Sequence, residues 1–260
     1  MYGLVCDVPS SYGPLNNIVH GIERGFSSPP KQRLPIDFKI LCNLLYGLKS
    51  HTLPTCSLET RSFALAMRAL YLTLFYSMLR GGNLLPISKP EFNPMRHLVW
   101  GRIEEVPEGI IIHIPLSKTI QACERIHEIP VTYCRVKDLC PISALADLVN
   151  LKGVDHCGPQ DSLFSVYRMG KWDLLTKGEA SRQLHRQLGE MGLNPSDYSL
   201  HSFRFGGLQE ALLSESPLEF IRLHSDHKSD AIYGYLHLPA RKRFLVSSRL
   251  TDRLALMMTQ

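Results

Sequence analysis

His201, Ser202, Phe203 and Arg204 place an imidazole and a guanidinium three positions apart. At the start of a helix, that spacing puts both side chains on one face. Two such groups beside the positive end of a helix make a site for a phosphate. Taken alone, HSFR is more simply a capped helix with an exposed arginine. Further on, His227 and Tyr235 lie eight residues apart in HSDHKSDAIYGYL, with Tyr233 between them. Either tyrosine also reads as a core ring with a satisfied hydroxyl. His224 and His227 have the spacing of a metal pair, but no carboxylate or third histidine follows at zinc-site spacing.

Two more bases stand out by position. In FYSMLRGGNLLP, Arg80 sits where a long apolar helix ends, with Gly81 placed to cap it. In PLSKTIQ, Lys118 falls in the connection between two strand-like segments, where a lysine is usually solvated.

The elements that must position these residues follow from periodicity. LNNIVHGIERGF near the start reads as one helix, and SSPPKQRLP (27–35) as a linker. From Pro35 the apolar spacing becomes helical. Ser57 should cap a long helix running to about Leu79. Strand-like segments follow at 97–106, 109–116 and 125–131, with a turn at Pro107 and Gly109. Pro141 opens a helix, and 162–166 is a short strand or extended segment. The remainder reads as helices at 177–191, from His201, at 217–224, 229–236 and 239–257. Helices, a small antiparallel sheet, then helices: the order predicts a mainly helical α+β domain.

Composition sets the boundaries. The chain has 260 residues, 44% hydrophobic and 20% charged, enough apolar content for a real core. A net charge of +5 permits a polyanionic partner without demanding one. The seven cysteines are scattered and contain no C-x-x-C, which argues against a disulfide framework or zinc knuckle and for reduced thiols in cytosol or nucleus. No signal peptide is visible at Met1. The most apolar stretch, Phe63 to Leu79, is interrupted by Arg68. A spanning helix wants ~20 apolar residues, so this one is expected in a core and not in a membrane.

Taken in order, Arg80, Lys118, His201-x-x-Arg204, His227 and Tyr235 form a series that resembles the catalytic set of the tyrosine recombinase (phage integrase) family. The stretches GIERG, KQRLPI, MLRGGNLLP, SKTIQ, HSFRFGG and DHKSDAIYGYL are similar to those of recombinases from eukaryotic Crypton and DIRS-like mobile elements. The resemblance runs from about residue 18 to 250. It implies a tyrosine recombinase catalytic-domain-like fold at 35–260, preceded at 1–34 by a remnant of the family's N-terminal core-binding domain plus linker.

The implied reaction is strand transfer on double-stranded DNA. Tyr235 attacks phosphorus, forming a 3′-phosphotyrosine and freeing a 5′-hydroxyl, with no metal or other cofactor. Arg80 and Arg204 hold the non-bridging oxygens, and His227 adds a hydrogen bond. His201 takes the tyrosine proton, and Lys118 protonates the leaving oxygen. The family works as a homotetramer on two DNA sites, and a nuclear (or cytosolic) location is expected. The alternative is a catalytically inactive or domesticated DNA-binding remnant of a mobile element. The sequence departs from the family pattern at His227, where relatives often carry Gly-Asp-Trp or Gly-His. It departs again at Asn83, where many bacterial members are acidic, and in the shortness of the N-terminal part.

Overall fold

The computed structural model describes residues 33–116, 126–214 and 216–226, all within the unit Arg33–Gln260. Helix α1 (Phe38–Lys49) begins where the Asp37 carboxylate accepts the Ile40 backbone N–H at 2.7 Å. Its buried residues, Leu41, Leu44, Leu45 and Leu48, recur at helical spacing and form one stripe. Ser57 caps α2 (Leu58–Ser77), accepting the Thr60 N–H at 3.2 Å. Helix α2 is buried on nearly every face, as a helix apolar all round must be. A short helix, α3 (Gly81–Leu84), follows it at once.

Strands β1 (Ile103–Val106), β2 (Gly109–Ile114) and β3 (His127–Thr132) form an antiparallel sheet in that order. Ile112 pairs with Ile103 on one side and Ile129 on the other. Burial alternates strictly along β3, so one face meets the core and the other meets solvent. Helix α4 (Pro141–Lys152) starts with proline in its first turn. A hairpin, β4 (Ser165–Arg168) and β5 (Lys171–Leu174), precedes α5 (Lys177–Glu190). Helices α6 (His201–Leu213) and α7 (Leu218–Ser225) complete the described chain. Around α2 pack α1, α4, β4 and α6. Among the described residues no helix is long and apolar enough to cross a membrane.

One buried polar chain fixes how four helices meet. The Tyr71 hydroxyl donates to Gln187 Oε1 at 2.9 Å, and Gln187 Nε2 donates to the Leu44 carbonyl at 2.9 Å. The Tyr71 ring stacks on Phe203 with centroids 4.8 Å apart. Buried polar groups satisfied in this way specify one packing arrangement.

Two expectations need correction, and a third gains a partner strand. The strand expected from residue 97 starts only at Ile103, behind a 3-10 turn at Trp100–Arg102. There a Cβ on Gly101 would lie 2.8 Å from the Pro159 carbonyl oxygen, so contact with the 157–161 loop takes the backbone off the sheet line. The segment at 162–166 is part of a second hairpin, turned by Met169 (φ 47°) and Gly170 (φ 81°), two successive positive values that suit tight hairpins. Gly81 does not cap the long helix. Met78 takes the left-handed position at φ 52°, and Gly81 opens α3 instead.

Candidate active site at the end of the long helix

The site is built where the C-terminal end of α2 meets the first turn of α6. Two adjacent glycines make the approach close. A Cβ on Gly206 would lie 1.7 Å from the Ile36 carbonyl oxygen, and one on Gly207 would lie 2.2 Å from that of Phe75. Only hydrogen fits at either position. The segment before α1 is tied to the same helix by a hydrogen bond from the Ile36 N–H to the Ser202 carbonyl at 2.9 Å.

Arg204 is 2% exposed. Its Nη1 donates to the Met78 carbonyl, and its Nη2 to the Ser225 carbonyl at 2.7 Å. Those carbonyls stand at the C-terminal ends of α2 and α7, where unpaired oxygens and helix dipoles favour a cation. The simpler reading of HSFR, an exposed arginine after a cap, is therefore overturned. Arg204 bridges two helix ends and sets where the chain leaves α7.

His201 opens α6, with its ring edge-on to Phe205 at 4.5 Å. Its pKa is lowered to about 4, first by burial and then by the charges of Arg204, Arg80 and Lys177. Three cations from three separate stretches of chain therefore bear on one imidazole, which is neutral at neutral pH. The ring nitrogens of His201, and the Arg80 guanidinium, have no hydrogen-bond partner among the described residues. Arg80 stands directly before α3 with extended backbone (φ −78°, ψ 139°). It is held there by the Asn83 N–H, which donates to its carbonyl at 2.8 Å.

Asn83 also holds the sheet. Its Nδ2 donates to the Leu116 carbonyl at 3.1 Å, and its own carbonyl accepts the Leu98 N–H at 2.9 Å. A carboxylate here could accept but not donate, so the amide is the chemically suitable group at this contact.

No protein-family model matches this chain, and neither does any curated protein. Solved structures do match. The XerH site-specific recombinase bound to a difH substrate, in a pre-cleavage complex, matches with TM-score 0.55 and 14% identity, over 82% of this chain and 53% of that one. XerA recombinase matches with TM-score 0.52 and 16% identity, over 87% and 67%. A lambda integrase dimer bound to a COC′ core site matches with TM-score 0.52 and 18% identity, over 83% and 51%. The chain has the tyrosine recombinase fold. It spans about half the length of the XerH and lambda integrase chains.

Within this fold, the charges of Arg80 and Arg204 both bear on His201. Lys118, His227 and Tyr235 lie outside the described residues, as do the helices expected at 229–236 and 239–257 and the 1–32 part of the N-terminal segment. His224 is a structural tie: its Nε2 donates to the Tyr76 carbonyl at 2.8 Å, and its carbonyl accepts from His127 Nε2 at 3.1 Å. Burial lowers its pKa. Sequence reasoning missed Lys177, whose charge also reaches His201. Nothing in its spacing marked it, since a lone lysine in a first helical turn carries no signal. Gly206 and Gly207 were legible only as part of a motif, although their lack of a side chain is what closes the site.

Proposed function

We propose that this chain is a DNA strand-transferase of the tyrosine recombinase type, acting in DNA recombination and integration. The observation that carries the reading is the convergence of Arg80 and Arg204 on a neutral His201. Two guanidiniums suit the charge that develops on the non-bridging oxygens of a phosphodiester under attack. Tyr235 attacks the phosphorus, the 3′-phosphotyrosine forms, and the 5′-oxygen leaves with a proton from Lys118. His227 donates to the same phosphate. A phosphate between the arginines offsets their charge, which raises the basicity of His201 as its proton acceptor. No metal or nucleotide enters, because the phosphotyrosine conserves the ester bond for the second transfer.

The partner is double-stranded DNA, consistent with the DNA complexes among the similar structures. A homotetramer on two sites, an origin in a mobile element, and work in the nucleus are parts of the same proposal. So is the division into 1–34, a core-binding remnant with linker, and 35–260, the catalytic domain.

The test is a pool of nicked duplexes with randomised flanks, in which cleavage releases a short 5′-hydroxyl strand and traps the enzyme. The proposal expects a protein–DNA adduct that survives denaturant in wild type and is lost in Arg80→Ala. Retardation of the duplexes without any adduct would favour the alternative, a DNA-binding remnant without catalysis.

A further inference from the structure

Away from this site, the residues after β3 and the start of α4 bring the backbone of one cysteine against the sulfur of another. Cys140 precedes Pro141 as the cap of α4, and its sulfur accepts the backbone N–H of Ser143 at 3.4 Å. The same sulfur accepts the backbone N–H of Cys134, also at 3.4 Å. Burial opposes ionisation of Cys140, but hydrogen bonds from Ser143, Cys134 and Ile142 outweigh it and hold the thiol below its ordinary pKa. N–H groups around a sulfur at a helix start favour its ionised form over the thiol. Cys140 itself is 1% exposed. Cys134 is half-buried, and its thiol bears on the Tyr76 hydroxyl. Burial and then Cys134, with Cys140 and Cys42 beyond it, push that hydroxyl well above its ordinary pKa. Among the described residues no group of His, Cys, Asp or Glu is arranged to hold a metal, so these sulfurs are not a ligand set.

We propose that Cys134 and Cys140 are a dithiol pair that a peroxide converts into a disulfide. Cys134 is the entry point because a small oxidant can reach it, and Cys140 is the resolving thiolate beside it. The Cys134 sulfur attacks the peroxide oxygen, the O–O bond breaks, and a sulfenic acid and one water result. The Cys140 thiolate then attacks the Cys134 sulfur, and the hydroxyl leaves as a second water once protonated. Two thiols are oxidised by two electrons, and one peroxide is reduced. The contact of the Cys134 N–H with the Cys140 sulfur brings the two residues within the span that a disulfide needs. The bond would close the short 134–140 loop. This inference is independent of the proposed strand transfer.

The test uses the full chain, hydrogen peroxide in small excess, alkylation of remaining thiols, and digestion with trypsin. Cleavage after Arg135 and Lys137 separates the cysteines into peptides 126–135 and 138–152. The expected product is these two peptides joined, lighter by two hydrogens than their sum and released by reductant. In Cys140→Ser the joined peptide should vanish, and a sulfenic acid trapped by dimedone should appear on Cys134. Because the main readout is on wild type, a variant that folds poorly does not decide the matter. Oxidation of Cys134 to sulfinic acid without cross-linking would overturn the proposal. So would cross-linking of Cys134 to Cys42 or Cys157, or two thiols that stay fully alkylatable.

Discussion

Arg204 Nη2 donates to the Ser225 carbonyl at 2.7 Å across twenty-one residues of sequence. Arg204 thus anchors the helix end after which the sequence runs on to His227 and Tyr235. Arg80 shows the opposite arrangement: its guanidinium has no hydrogen-bond partner among the described residues. The two arginines are alike in the proposed chemistry and unlike in what they do for the fold.

That contrast separates their variants. Arg204→Ala should lose ~2–4 kcal/mol of stability, since it leaves two helix-end carbonyls buried and unpaired. Arg80→Ala should stay within ~0.5 kcal/mol of wild type. Urea unfolding measures both. Equal losses in the two variants would contradict the assigned bridging role of Arg204.

The close approach at the two glycines gives a second prediction. Gly206→Ala and Gly207→Ala force a methyl into the carbonyls of Ile36 and Phe75, and each should cost at least ~1–3 kcal/mol. Gly82→Ala is the control, because nothing lies within 4 Å of a Cβ there. It should be neutral or slightly stabilising. Thermal unfolding of the three variants checks this.

Stability should also fall with acid. His201 titrates at about 4 in the folded chain against an ordinary 6.5. Between those values the unfolded chain binds a proton that the folded chain refuses, so stability rises with pH across that window. The depressed pKa values of His97 and His224 act in the same direction. The part due to His201 is ~1–3 kcal/mol, from the size of the shift. His201→Gln should flatten the pH 4 to 6.5 slope of the unfolding free energy. An unchanged slope would mean that neither burial nor the neighbouring charges hold the ring neutral.

DNA binding should be electrostatic. Log affinity for a duplex should fall linearly with log salt, by ~0.9 for each phosphate neutralised. Arg80→Ala should lower that slope by about one unit. Fluorescence anisotropy against a labelled duplex at increasing potassium chloride gives the slope directly.

Much of this was legible in the sequence because it is periodic or capped. Ser57, Pro141 and the alternation in β3 fix their elements by local physics, and His201 with Arg204 announces a shared helix face. The second hairpin was hidden because its turn is Met169-Gly170 and carries no asparagine or aspartate. The cap of α2 was misplaced by three residues, at Gly81, because a methionine, Met78, takes a left-handed position usually given to glycine. The burial of Arg204 could not be read at all. It depends on carbonyls at residues 78 and 225, and backbone acceptors leave no trace in side-chain spacing.

The central claim is that Tyr235 becomes joined to DNA. Tyr233 and Tyr235 both fall in the tryptic peptide 229–241. The trapped adduct is digested with nuclease and trypsin, and that peptide is fragmented in a mass spectrometer. The account predicts a residual 3′-phosphonucleotide on Tyr235, and no adduct from Tyr235→Phe under conditions where Tyr233→Phe still forms one. A nucleotide found on Tyr233, or an adduct that persists in Tyr235→Phe, would contradict it.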